Sequence, residues 1–185
     1  IFSSDTEWFL SGRSALKAII SDIKAKHEVH TATLPSWCCD SMITPFLDAG
    51  ISVQFYTVFK IIEGLNTDII LVMDYFGFTG HSELCNYKGI IIRDVTHSIF
   101  SSTYNDADYY FGSLRKWAGF WTGGYAWGAR NTTNEKSLKY VELRRIAMLE
   151  KRDYIFRTDS SKEYLNIFRE AEHQLDKCSI ALAAE

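Results

Sequence analysis

Apolar and polar positions along this chain recur in two periods, and the order in which the periods alternate predicts its architecture. Residues 14–24 place Leu16, Ile19, Ile20 and Ile23 at i, i+3, i+4 and i+7, the spacing of an amphipathic helix. Residues 29–34 form an apolar, strand-like run that Pro35-Ser36 ends. Residues 40–49 return to the helical period, with Met42, Ile43, Phe46 and Leu47 on one face and Gly50 as the stop signal. A second strand is expected over 51–58. The runs 68–74 and 89–94 are short and rich in Ile and Val, of the kind buried on both faces of a parallel sheet. Between them, 77–88 reads as a crossover with one helical turn around 81–86. Residues 108–111 and 124–127 read as two further strands. From Glu135 the chain becomes charged and helical through to Glu185.

Strand and helix alternating, then helices alone, indicate an α/β fold: a doubly wound, mostly parallel sheet with helices on both faces and a helical C-terminal extension. The expected division is an α/β domain over 1–134 and the extension over 135–185. In such sheets a ligand lies beyond the carboxyl ends of the strands. The segments 35–39, 74–77, 94–97 and 113–116 are therefore where chemistry is expected.

Composition narrows the classes. The chain has 185 residues and a formal net charge of −3, with charged residues interspersed, so neither nucleic acid nor a membrane surface is indicated. No apolar run is long enough to span a bilayer. The first residue is Ile1 and no leader is visible, so the chain reads as processed, trimmed or part of a longer one. Cys38, Cys39, Cys85 and Cys178 have no CxxC spacing and no metal-like pairing with the histidines, so no metal site is expected and a reducing, cytoplasmic setting is the default. Aromatic residues are abundant, with Trp117, Trp121 and Trp127 crowded into one stretch.

Four positions carry candidate chemistry. Gly12, Arg13 and Ser14 open the first helix, where free N–H groups and the helix dipole suit a phosphate, or where the residues are a plain cap. Asp94 closes the run Ile90-Ile91-Ile92-Arg93-Asp94. A carboxylate at the tip of a buried strand is costly without a partner. The partner is either a protonated ring nitrogen such as that of a pyridine, the following turn, or Arg93 or Arg115. His97 follows three residues on. Lys116 comes after a short strand among aromatic and glycine residues, where desolvation would favour the neutral amine that imine chemistry needs; the bland alternative is a surface lysine. Ser113 and Arg115 are natural further donors to a phosphate. Trp37, at another strand end, offers a face to a planar ligand or is a core residue.

With two glycine-bearing segments added, the segments in order are Ser11-Gly12-Arg13-Ser14-Ala15-Leu16, Leu34-Pro35-Ser36-Trp37, Asp48-Ala49-Gly50, Ile92-Arg93-Asp94-Val95-Thr96-His97-Ser98, Ser113-Leu114-Arg115-Lys116 and Thr122-Gly123-Gly124. The ordered set resembles fold-type I enzymes dependent on pyridoxal 5′-phosphate (PLP), and more narrowly the DegT/DnrJ/StrS sugar aminotransferase family. The resemblance covers roughly 10–128. It implies that Lys116 is the Schiff-base lysine and that Asp94 faces the pyridine nitrogen. It further implies His97 near the phenolic oxygen, and Gly12, Arg13, Ser14 and Ser113 around the phosphate. The residue stacking on the ring falls at Trp37 or, by a gapless count back from Gly50, at Cys39. Three departures stand out: Arg13 takes the second place of the usual Gly-Thr-x-Ala at the first helix, the serine of the lysine segment usually lies farther back than Ser113, and Asp74-Tyr75-Phe76-Gly77 replaces a segment that usually contains His.

The resemblance implies an aminotransferase that moves an amino group from an amino-acid donor to a keto acceptor, a keto or nucleotide sugar, and that works as a homodimer. On this reading 135–185 are the start of a small C-terminal domain that is cut short. The alternatives are another fold-type I activity (a lyase or a decarboxylase), a non-catalytic PLP-fold binding protein, and a flavodoxin-like domain. The last requires Lys116 to be exposed and remote from Asp94.

Overall fold

A computed structural model describes residues 4–58, 65–78, 84, 87–100, 106–129, 138–156 and 161–177. Among these residues, seven strands form one sheet: β1 (Glu7–Phe9), β2 (Thr31–Pro35), β3 (Ser52–Tyr56), β4 (Ile69–Met73), β5 (Ile90–Asp94), β6 (Tyr109–Ser113) and β7 (Gly124–Trp127), in the order β1-β7-β6-β5-β4-β2-β3. The five strands from β6 to β3 are parallel, while β7 pairs antiparallel with both β6 and β1. The expected sheet is therefore found, with one strand added. β1 has only three residues and no apolar period of its own; its pairing with β7 is set across the chain.

Helix α1 (Gly12–Lys26) begins two residues earlier than its apolar period suggests. Ser11 is the N-cap, and its side chain accepts the Ser14 N–H at 3.0 Å. Leu16, Ile19, Ile20 and Ile23 are all buried against the sheet with Phe111, Ala126 and Ile92. Each contributes about 1.5–3 kcal/mol of burial. Helix α2 (Asp40–Asp48) adds Met42 and Phe46 to the same layer. On the opposite face, Ile70 and Val72 pack with Tyr56 and Leu84, and Tyr110 and Tyr125 with Val95 and Ile99. The helical turn expected around 81–86 lies outside the described residues apart from Leu84.

Among the described residues of the C-terminal region there are two helices, α3 (Leu138–Ile155) and α4 (Tyr164–Asp176). Tyr140, Ala171 and Leu175 close a small core around Leu10, so this pair seats on the segment that leads into α1. Among the described residues, no helix is long and apolar enough to cross a membrane.

Inside the sheet, Arg93 is only 2% exposed. It was a candidate partner for Asp94, but it donates to Asp74 at 2.7 Å and to Asp106 at 2.6 Å. In a strand, successive side chains leave on opposite faces, so Arg93 and its neighbour Asp94 cannot readily meet. Ser98 also donates to Asp74, which ties the loop after β5 to the tip of β4. Removing one partner of a buried ion pair leaves an uncompensated charge. Asp74→Ala is therefore expected to lower stability by about 3–5 kcal/mol, seen as a fall in the urea midpoint with the slope of the transition unchanged.

Candidate active site

Because β2, β4, β5 and β6 are parallel, their carboxyl ends share one edge of the sheet, and a cavity of about 640 Å³ lies there. Its lining draws on the loop after β2 (Trp37, Cys38, Cys39) and on β5 and the turn after it (Asp94, Thr96, His97). β6 and its following turn add Ser113, Arg115 and Lys116, α1 adds Gly12 and Arg13, and α4 adds Glu172. Of the nine expected site residues, eight line this cavity. The exception is Ser14, which is buried, bonded to the Ser11 side chain and absent from the lining.

Asp94 is almost completely buried. Burial raises its pKa above the ordinary carboxylate value, and the Thr96 hydrogen bonds work in the opposite direction. The Thr96 N–H donates to Asp94 Oδ1 at 2.8 Å. The Thr96 hydroxyl accepts the Ser113 N–H at 3.1 Å, and its carbonyl accepts the Trp117 indole N–H. One residue therefore ties the Asp94 carboxylate to the segment that carries Ser113 and Lys116. In the sequence Thr96 is one residue of the motif Ile92-Arg93-Asp94-Val95-Thr96-His97-Ser98, with no chemistry of its own to mark it. Its position two residues past Asp94, at the same tip, was the available signal.

Lys116 ends the 3-10 turn Leu114–Lys116 that follows β6. The expected desolvation is not found: Lys116 is exposed, because the turn carries it to the mouth of the cavity, and neighbouring Trp117 is itself 44% exposed. Exposure is what a flavodoxin-like domain required. Remoteness from Asp94 was its other requirement, and here both residues line the same cavity.

Gly12 and Arg13 occupy the first turn of α1, where backbone N–H groups have no acceptor within the helix. A Cβ on Gly12 would lie 3.3 Å from the Ser113 Cβ and 3.5 Å from the Gly112 carbonyl, so glycine lets the helix start approach the end of β6. Gly12, Arg13 and Ser113 all line the cavity, and donors at a helix start are a setting that suits a phosphate. The Arg13 side chain is not one of these donors. It leaves toward α4 and pairs with Glu172 at 2.9 Å and Asp176 at 3.1 Å.

His97 accepts the Phe76 N–H on Nδ1 at 3.4 Å and stacks on the Phe76 ring. Phe76 holds φ at 57°, a left-handed conformation uncommon outside glycine, and this bend directs its N–H to His97. Trp37 and Cys39 both border the cavity. Trp37 is 63% exposed and its carbonyl accepts the Tyr75 hydroxyl; Cys39 Sγ lies 2.9 Å from Ser41 Oγ. Burial pushes the adjacent Cys38 thiol up to about 11, so it is held protonated at neutral pH.

The arrangement defines a class: a mostly parallel α/β sheet with a lysine and a buried carboxylate lining one cavity beside the start of a helix. No family model matches the sequence, and no curated protein matches it. Solved structures do. NtdA of Bacillus subtilis, with bound cofactor PMP, has a TM-score of 0.55 at 17% identity, over 69% of this chain and 33% of its own. PseC of Helicobacter pylori, an aminotransferase of pseudaminic acid biosynthesis, scores 0.54 at 15%, over 66% and 39%. The GDP-4-keto-6-deoxy-D-mannose-3-dehydratase of E. coli, with hydrated PLP, scores 0.53 at 16%, over 68% and 39%. At these identities the likeness shows the fold, which is that of fold-type I PLP enzymes. The chain spans about two fifths or less of each of these proteins.

The raised pKa of Asp94 carries a sign for stability. Between the ordinary value of 3.8 and the higher folded-state value, the unfolded chain binds fewer protons than the folded one, so stability falls as pH rises. In the chain without added ligand, Asp94→Asn is expected to be more stable than the parent near pH 7. That advantage should shrink as pH falls through this window, as read by urea unfolding at several pH values.

Proposed function

We propose that this chain is the cofactor-binding part of a PLP-dependent aminotransferase that moves an amino group from an amino acid to a keto sugar, its acceptor a nucleotide sugar. The observation that carries the reading is that Lys116 and Asp94, on different segments, line one cavity beside the donors of Gly12, Arg13 and Ser113. The residues fit the cofactor. A site of this size holds a ring with its phosphate, and Gly12 keeps the cradle open. The Gly12 and Arg13 N–H groups and the Ser113 hydroxyl would hold the phosphate. Trp37 or Cys39 would lie against the ring and His97 at its edge. Bound there, PLP supplies an electron sink for amino-group transfer.

The chain's own groups would divide the remaining work. Asp94 holds a proton at the ring nitrogen; its burial, which disfavours an isolated carboxylate, is offset once a cation stands beside it. Thr96 keeps that carboxylate aimed and fixes its distance from the segment of Lys116. The Lys116 amine anchors the cofactor and, when free, carries protons at the reacting carbon. A cytoplasmic homodimer is part of the proposal. Cys38 and Cys39 are free thiols, and Phe100, Trp117, Phe120 and Trp121 leave apolar surface beside Lys116 that a second subunit would cover.

Two observations favour rivals within the same fold. One neighbour is a dehydratase, so another fold-type I activity fits the same groups. The exposure of Lys116 suits a non-catalytic binding protein. Titration with PLP is expected to give a visible absorbance band that Lys116→Ala abolishes, and no band in either protein would sink the reading. Adding an amino donor should then bleach the band and yield the donor's keto acid. Asp94→Ala should slow this half-reaction by about a hundredfold or more. A band that no amine changes would favour the non-catalytic reading.

A further inference from the structure

Arg13, Arg115 and Arg144 come from α1, from the turn after β6 and from α3, and all three point at one carboxylate, Glu172 of α4. Only Arg13 is within hydrogen-bond distance of it, at 2.9 Å, and Arg13 is also paired with Asp176. Arg115 and Arg144 stop at 3.7 and 3.6 Å, beyond direct hydrogen bonds. They are oriented by neutral groups: Arg115 donates to the Tyr140 hydroxyl at 3.2 Å, and Arg144 to the Trp121 carbonyl at 3.2 Å with its guanidinium over the Phe168 ring. The Arg144 side chain is 13% exposed, and burial together with the neighbouring Arg115 lowers its pKa. Two closely set, partly buried guanidiniums thus share one carboxylate that meets neither at bonding distance. Glu172, Arg13 and Arg115 all border the cavity.

We propose that Arg115, at the rim of the cavity, and Arg144, behind it on the far side of Glu172's carboxylate, form with Arg13 an anion subsite adjoining the cavity, and that Glu172 holds the place of its ligand, a carboxylate or phosphate group carried by the substrate. The planar fork of a guanidinium binds such oxyanions through two parallel bonds, and two forks at one subsite select strongly for them. The subsite is separate from the phosphate cradle, which uses backbone groups at the start of α1. The ligand enters as Glu172 gives way, so α4 sets the affinity. The inference rests on the reading of this cavity as a substrate site.

The test is calorimetric titration of the Lys116→Ala chain, in which no imine forms, with pyrophosphate and with glutarate at constant ionic strength. Glu172→Gln in that background is expected to bind one of the two about tenfold tighter or more, the worth of a charge-assisted hydrogen bond. Adding Arg144→Met should remove the gain. Because Arg144 is not part of the cavity lining, binding in the cradle would be blind to it. Preference for pyrophosphate assigns the subsite to a phosphate of the acceptor; preference for glutarate assigns it to a dicarboxylate donor. Equal affinities of parent and Glu172→Gln for both probes, or a gain that survives Arg144→Met, would overturn the proposal. Should Glu172→Gln not fold alone, refolding by either probe and not by chloride supports the subsite, and refolding by neither overturns it. A PLP band in the chain with Lys116 intact tests the cofactor reading separately.

Discussion

A carboxylate buried at the tip of a central strand must be solvated by protein, and most of what surrounds the cavity follows from how Asp94 meets that requirement. The residues on either side of it in the chain are spent on other tasks. Arg93 leaves on the opposite face and is taken up by Asp74 and Asp106. The Val95 N–H is committed to the Phe111 carbonyl of β6. The nearest donor that can turn back is the Thr96 N–H, and taking it bends the chain sharply after β5. That bend carries His97 over the cavity, and it places the Thr96 hydroxyl where the Ser113 N–H can reach it. Solvating one charge thus fixes the separation of two strand ends.

The two acidic groups at neighbouring tips illustrate how environment separates their roles. Asp74 lies on β4's end, fully occupied by Arg93 and Ser98, and acts as a brace. Asp94 is held by Thr96 and borders the cavity, with its pKa raised by burial. A carboxylate that is buried and borders a cavity is stabilised by a cationic ring nitrogen far more than a brace would be. Exchanging Asp74 and Asp94 in such a comparison fails on geometry alone, because their side chains serve different sides of the β4–β5 pair.

Much of this organisation was legible in the sequence. Apolar runs of five residues between helical periods mark β4 and β5, and a parallel sheet then puts Asp94, Ser113 and Lys116 at one edge. What stayed hidden was decided by contacts distant in sequence. β1 exists because β7 pairs with it, and no local pattern in three residues reveals that. The start of α1 depends on the Ser11 side chain, which also turns Ser14 away from the cavity. Glu172 reads as one charge on a solvated helix, and only the seating of α4 on Leu10 brings it to Arg13. Lys116 was expected to be desolvated by its aromatic neighbours. Trp117 instead donates to the Thr96 carbonyl and stacks edge-on with Phe100, which leaves the lysine at the rim.

Arg13 shows how a departure from a family pattern acquires a physical meaning. At the first turn of a helix whose N–H groups face an anion, a small residue interferes with nothing, whereas a guanidinium could either reinforce the cradle or compete with it. Here it does neither, because α4 presents two carboxylates that draw the side chain away from the helix start while its backbone N–H stays in place. The consequence is a coupling. The same helix pair that covers Leu10 also sets how much positive charge reaches the cavity rim, through the share of Glu172 that Arg13, Arg115 and Arg144 each hold. A cradle built from backbone donors and a rim built from arginines answer to different charges, so on the proposed reading one cavity would distinguish the phosphate of a cofactor from the anionic group of a substrate.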